Sequence, residues 1–100
     1  MAKYLFCFGF ESPTEWQTNA EQGTDFESSK AIWVAAPSRQ KALAAGRKFA
    51  ENWVEELFRS AGVAGYEGWT AGHFAHWIED RPLERFSGLA LETLEEISAE

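Results

Sequence analysis

One hundred residues carry a formal net charge of −7, are 45% apolar and 15% aromatic, and include a single cysteine. That length suits one hydrophobic core rather than two, the apolar content excludes a disordered chain, and the acidic balance argues against nucleic-acid phosphates or an anionic membrane as partner. Cys7, being alone, permits neither an intramolecular disulfide nor a CxxC metal or redox pair.

Residues 3–10 are almost continuously apolar and rich in aromatics over only eight positions, which favours a strand over a helix. Tyr4, Phe6, Phe8 and Phe10 fall on one face, Leu5, Cys7 and Gly9 on the other. Apolar residues on both faces predict an interior strand, with Gly9 at a bulge or a close approach. The same apolar start lacks an A-x-A-like cleavage site, so it does not read as a signal peptide. No run approaches the roughly 18 apolar residues of a membrane span, and a cytoplasmic protein is expected.

Between 11 and 29 the periodicity breaks, and Pro13, Asn19, Gly23 and several Ser and Thr residues mark a connection. It carries Glu11, Glu15, Glu21, Asp25 and Glu27 with no Lys or Arg among them. A short helix over 13–21, capped by Ser12 or Thr14, would turn Trp16 toward the domain. Connections longer than about 12–15 residues in compact domains are usually functional or disordered. This long acidic loop is therefore the expected working surface, with Glu11, Glu15, Trp16, Glu21, Asp25, Phe26 and Glu27 as its partner-binding residues.

Residues 30–36 resume a strand, with Ile32, Val34 and Ala36 on one face and Trp33 and Ala35 on the other. Pro37 ends it. The stretch 38–62 then has the strongest local pattern in the chain. Ala42, Leu43, Gly46, Phe49, Ala50, Trp53, Val54, Leu57, Phe58 and Ala61 follow helical spacing. Ser38 stands at the N-cap and Gly62 where a left-handed residue closes a helix. Gly46 on the apolar face costs about 1 kcal/mol of helix propensity relative to Ala, which implies close approach to a strand or bulky ring. The helix charges run against its dipole: Arg39, Lys41, Arg47 and Lys48 lie in the first half, Glu51, Glu55 and Glu56 in the second.

Glycine-punctuated chain follows, and a third strand is expected over 70–79, where Phe74, His76 and Ile78 oppose His73, Ala75 and Trp77. Pro82 suits the start of a short turn ending at Gly88. Leu91, Leu94 and Ile97 predict a short amphipathic helix at the C-terminus, with Glu92, Glu95, Glu96 and Glu100 facing water. Trp33, Trp53 and Trp77 read as core fillers.

Constellations for chemistry are poor. Only on a helix would His73 and His76 share a face and be able to grip a metal with Glu79 or Asp80; on a strand they diverge. No glycine-rich phosphate loop follows a strand, a pairing of Cys7 with either histidine has no support in the local sequence, and the carboxylates sit in polar segments where nothing raises their pKa. No enzyme, no metal site and no cofactor is expected.

The expected architecture is a single α+β domain over 1–100. It is a mostly antiparallel three-stranded sheet in β-β-α-β order, with one long amphipathic helix on one face and a short C-terminal helix. The first two strands should be antiparallel neighbours, since nothing between them is long enough for a parallel crossover. The sheet's other face requires cover from the acidic loop, the C-terminal turn or a second copy of the chain, which makes a homodimer one expectation. The expected function is a small acidic, non-enzymatic protein-binding module, an inhibitor, immunity or adaptor protein of bacterial or phage type, meeting a partner with a basic surface. The alternative is a small-ligand or metal-binding domain using the aromatic sheet face with His73 and His76.

Overall fold

In the computed structural model, which describes residues 1–82 and 90–99, the described residues form an α+β fold with two α-helices and a four-stranded mixed sheet. The strands are β1 (Ala2–Phe10), β2 (Ser28–Ala36), β3 (His76–Glu79) and β4 (Glu96–Ser98), and the helices are α1 (Pro13–Gln22) and α2 (Arg39–Ser60). Short 3-10 turns occupy Thr70–Gly72 and Leu91–Thr93. The strand order is β3-β1-β2-β4. β1 pairs antiparallel with both β2 and β3, as an interior strand should, with Phe6 opposite Ile32 on one side and Ile78 on the other.

Helix α2 follows from local signals. Ser38 Oγ accepts from the Lys41 N–H at 3.2 Å, and Gly62, at φ +70°, closes the other end. There the Gly62 N–H donates to the Arg59 carbonyl and the Val63 N–H to the Phe58 carbonyl, each at 3.1 Å, the two hydrogen bonds of a Schellman ending. The fully buried stripe is Ala42, Gly46, Ala50, Val54 and Phe58, one residue per turn. Small residues at three of these positions let the helix lie close on the sheet. At Gly46 a Cβ would enter the Phe6 ring, so the expected close approach is to Phe6.

The main core lies between α2 and the face of the sheet bearing Phe6, Phe8, Phe10, Ile32, Val34 and Ile78. Phe8 is its centre: the Phe49, Trp53 and Trp69 rings all meet it edge-on, with centroids 5.8–6.4 Å away. The opposite face holds a smaller cluster of Leu5, Cys7 and Leu91, with Ala31, Trp33, Trp77 and Leu94 packed around it. Residues of the second 3-10 turn thus cover part of that face, and the Trp33 Nε1–H donates to the Leu91 carbonyl at 2.8 Å.

Four expectations are corrected. First, the connection over 11–29 is not one long loop: the short helix offered over 13–21 forms as the ten-residue α1 with Ser12 as its cap, and β2 begins at Ser28. Second, the third strand is four residues long, because Thr70–Gly72 coils into a 3-10 turn and His73 adopts a left-handed conformation at φ +53°. Third, the sheet has four strands and is mixed, not three antiparallel ones. Fourth, the C-terminal segment is no helix: Glu96–Ser98 runs as β4, parallel to β2. The physical reason is the open edge of β2. The Trp33 N–H donates to the Glu95 carbonyl and the Ala99 N–H to the Ala35 carbonyl, both at 2.9 Å, so the tail satisfies backbone groups that a helix would have left to water. The turn expected from Pro82 to Gly88 lies almost wholly outside the described residues. Among the described residues no helix is long and apolar enough to cross a membrane.

Candidate functional site

The expected binding segment is built on α1. Pro13 occupies the first turn, where its missing N–H is harmless. Ser12 and Glu15 form a reciprocal capping box: the Ser12 N–H donates to Glu15 Oε1 at 2.8 Å, and the Glu15 N–H donates to Ser12 Oγ at 3.2 Å. Ser28 Oγ also donates to both Glu15 oxygens, at 2.9 and 3.0 Å. One carboxylate therefore fastens the start of α1 to the start of β2. The backbone bond from Ser12, helped by the two serine hydroxyls and opposed by desolvation, holds the Glu15 carboxyl below its ordinary value of 4.5.

At the other end of α1, Gly23 turns the chain at φ +66° and its N–H bonds the Asn19 carbonyl at 2.9 Å. The Asn19 side chain then clamps the loop that follows. Its Oδ1 accepts from the Phe26 N–H at 2.9 Å and from Thr24 Oγ1 at 2.7 Å, while its Nδ2 donates to the Phe26 carbonyl at 2.9 Å. A second Nδ2 bond reaches Glu11 Oε2 at 2.7 Å. Both backbone polar groups of Phe26 are thus held by one amide, yet the residue is 56% exposed.

The structure divides the seven expected residues into two groups. Glu11, Glu15 and Trp16 are half-buried and inward-directed. Trp16 meets Phe58 and Tyr66 edge-on, at centroid distances of 5.8 and 5.7 Å. Glu21, Asp25, Phe26 and Glu27 are exposed. The Glu27 carboxylate lies over Gly9, where a Cβ would collide with it, so the close approach expected at Gly9 is a side chain from this same loop.

Several participants are absent from the expected set. Asn19 is one; its signal was the known tendency of Asn side chains to bond nearby backbone. Tyr66 is another: it stacks on Phe58 at 3.7 Å with the rings 3° from parallel. Its hydroxyl is buried without a hydrogen-bond partner, and burial, with the Glu11 charge adding to it, pushes its pKa up to about 12. Trp69 is the fully buried tryptophan, its Nε1–H donating to the Gly9 carbonyl at 2.8 Å, whereas Trp33, Trp53 and Trp77 are half-buried.

His73 is exposed in its left-handed turn, and His76 packs its ring edge-on against Trp69 at 5.2 Å. Among the described residues no group of three or more His, Cys, Asp and Glu side chains is placed to hold a metal ion. The chain matches no protein-family model, no curated protein and no solved structure at a significant level.

Proposed function

We propose that this chain is a small acidic protein-binding module without enzymatic activity, acting as an inhibitor, immunity or adaptor protein of bacterial or phage type in the cytoplasm. Its partner is a protein with a basic surface. The observation that carries this reading is Phe26: an aromatic residue left 56% exposed on a loop whose backbone is clamped on both sides by Asn19. Exposed aromatic side chains on ordered backbone are what interface hot spots are made of, because little ordering entropy remains to be lost on binding. Glu21, Asp25 and Glu27, exposed on the same segment, supply negative charge that steers a basic partner and favours its correct orientation. Glu11, Glu15 and Trp16 act from behind, by holding α1 and the loop in place.

The test is capture of partners from host lysate by the tagged chain at low and at high salt, alongside Phe26→Ala. The expected result is a stoichiometric partner with a basic surface, lost at high ionic strength and bound at least about tenfold more weakly by the variant, the loss expected of a hot-spot aromatic. A partner that binds the Phe26→Ala chain equally well overturns the assignment of this loop.

A further inference from the structure

The reversed charge order of α2 has a structural counterpart at its C-terminal end. Glu55 and Glu56 sit close to the negative end of the helix dipole, and the cation of the last turn, Arg59, is taken up by Glu55 at 2.9 Å and Glu56 at 2.6 Å. Beyond the helix, Gly65 at φ +89° and Gly68 at φ +108° turn the chain in conformations that side chains rarely adopt. They present Tyr66 flat on Phe58, and residues 65–68 become the shared wall of two cavities. The larger, about 530 Å³, has Phe58, Tyr66 and Trp69 on its wall with Glu51, Glu55 and Glu67, and also Arg59, whose guanidinium is already held by Glu55 and Glu56. The smaller, about 250 Å³, is lined by Trp16 and Tyr66 with Glu11 and Glu67, and has no cationic residue in its lining. Among the described residues Glu51 and Glu67 make no ion pair or side-chain hydrogen bond, and Glu11 meets only the Asn19 amide.

We infer that these cavities are a binding site for an organic cation, a guanidinium or alkylammonium group carried on an aliphatic chain. The half-buried Trp16 and Tyr66 rings beside Glu11 and Glu67, with no cation in that lining, attract such a group through the ring quadrupole and through charge, and Glu51 adds a carboxylate unpaired among the described residues in the larger cavity. The C-terminal end of α2 adds its partial negative charge. The larger cavity falls within the roughly 300–1,000 Å³ of small-molecule sites. The inference rests on the protein-binding reading in one respect: the source of the cation is an arginine or lysine side chain of the basic partner. Asn19 supplies the continuity, because its Nδ2 donates both to Glu11 of the smaller cavity and to the Phe26 carbonyl of the exposed loop. The Tyr66 hydroxyl is shut off from the cavities and takes no part; the ring does.

The test is a titration of the ¹⁵N-labelled chain, followed by amide and indole NMR shifts, with N-acetyl-arginine-N-methylamide, its norleucine analogue and spermidine. Saturable shifts centred on Gly65, Glu67, Gly68 and the Trp16 and Trp69 indoles are expected with the arginine amide and not with norleucine. The double variant Glu51→Gln, Glu67→Gln, at two exposed positions, weakens this binding at least about tenfold. Tighter saturation by spermidine than by the arginine amide transfers the site to free polyamines and overturns the side-chain source. Non-saturating shifts spread over the whole acidic surface, or insensitivity to the double variant, overturn the site. Because Phe26→Ala tests the loop in lysate and the glutamine pair tests the cavity with pure ligand, failure of either reading leaves the other intact.

Discussion

Gly46 and Tyr66 show how much single atoms decide in so thin a core. Adding one methyl at Gly46 improves helix propensity by about 1 kcal/mol but drives a carbon into the Phe6 ring, which is itself fully buried. Overpacking of this kind costs about 1–3 kcal/mol, so Gly46→Ala is expected to lower stability in urea by up to about 2 kcal/mol despite the better helix former. Tyr66 carries the opposite case. Its hydroxyl is buried and unpartnered, and removing such a group relieves a desolvation cost of order 1–3 kcal/mol. Tyr66→Phe should be at least as stable as wild type at neutral pH. The difference should widen in alkali: because the folded pKa is raised from 10.0 to about 12, wild-type stability is complete below the unfolded value and falls as pH climbs from 10.0 through about 12. A phenylalanine variant whose melts tracked wild type across that window would show that the hydroxyl is not buried.

At the scale of elements, α1 and β2 are joined through one carboxylate. The Glu15 pKa is depressed, so its contribution to stability is fully present above the ordinary value of 4.5 and is lost as pH falls through the folded pKa. Glu15→Gln should therefore destabilise the chain at neutral pH and converge with wild type in acid, as followed by melting at a series of pH values. Trp53 joins α2 to β1 by edge contacts with Phe8 at 6.1 Å and Phe10 at 5.0 Å, with Lys30 Nζ 4.7 Å over its ring. Trp53→Ala is expected to cost about 3 kcal/mol, measured by reversible thermal or urea unfolding, the half-burial of the ring placing it at the low end for tryptophan. Element identity was legible where its signals were local. The cap at Ser38, the period through Phe58 and the glycine after the last turn all lie within one stretch, and α2 forms there. Leu91, Leu94 and Ile97 have helical spacing too, but over so short a segment propensity is weak, and the unpaired edge of β2 recruits it as a strand.

For the whole molecule, charge and topology act together. The 11–29 segment meets α2 where Trp16 packs against Phe58, and Asn19 links Glu11 of the smaller cavity to the Phe26 loop, so on the proposed reading a basic partner approaching the Phe26 tip also approaches the cavities around Tyr66. Association governed by such a field should slow by about tenfold or more between low and high salt while dissociation changes little, as a surface-binding kinetic measurement with the captured partner would record. Salt-independent association would place the contact on an apolar face instead.

The chain by itself determined the long helix, the two leading strands and their antiparallel pairing, because each depends on neighbours a few residues away or on a connection too short for any other arrangement. It also marked 11–29 as the unusual segment and its charges as unbalanced. Only the tertiary structure decided that Glu11, Glu15 and Trp16 face inward while Phe26 faces out, since that division depends on Asn19, Ser28, Phe58 and Tyr66 arriving from four places in the chain. The same holds for Trp69 as the buried tryptophan and for the fourth strand. Burial and edge pairing are properties of surfaces brought together over long sequence separations, and no local pattern records them.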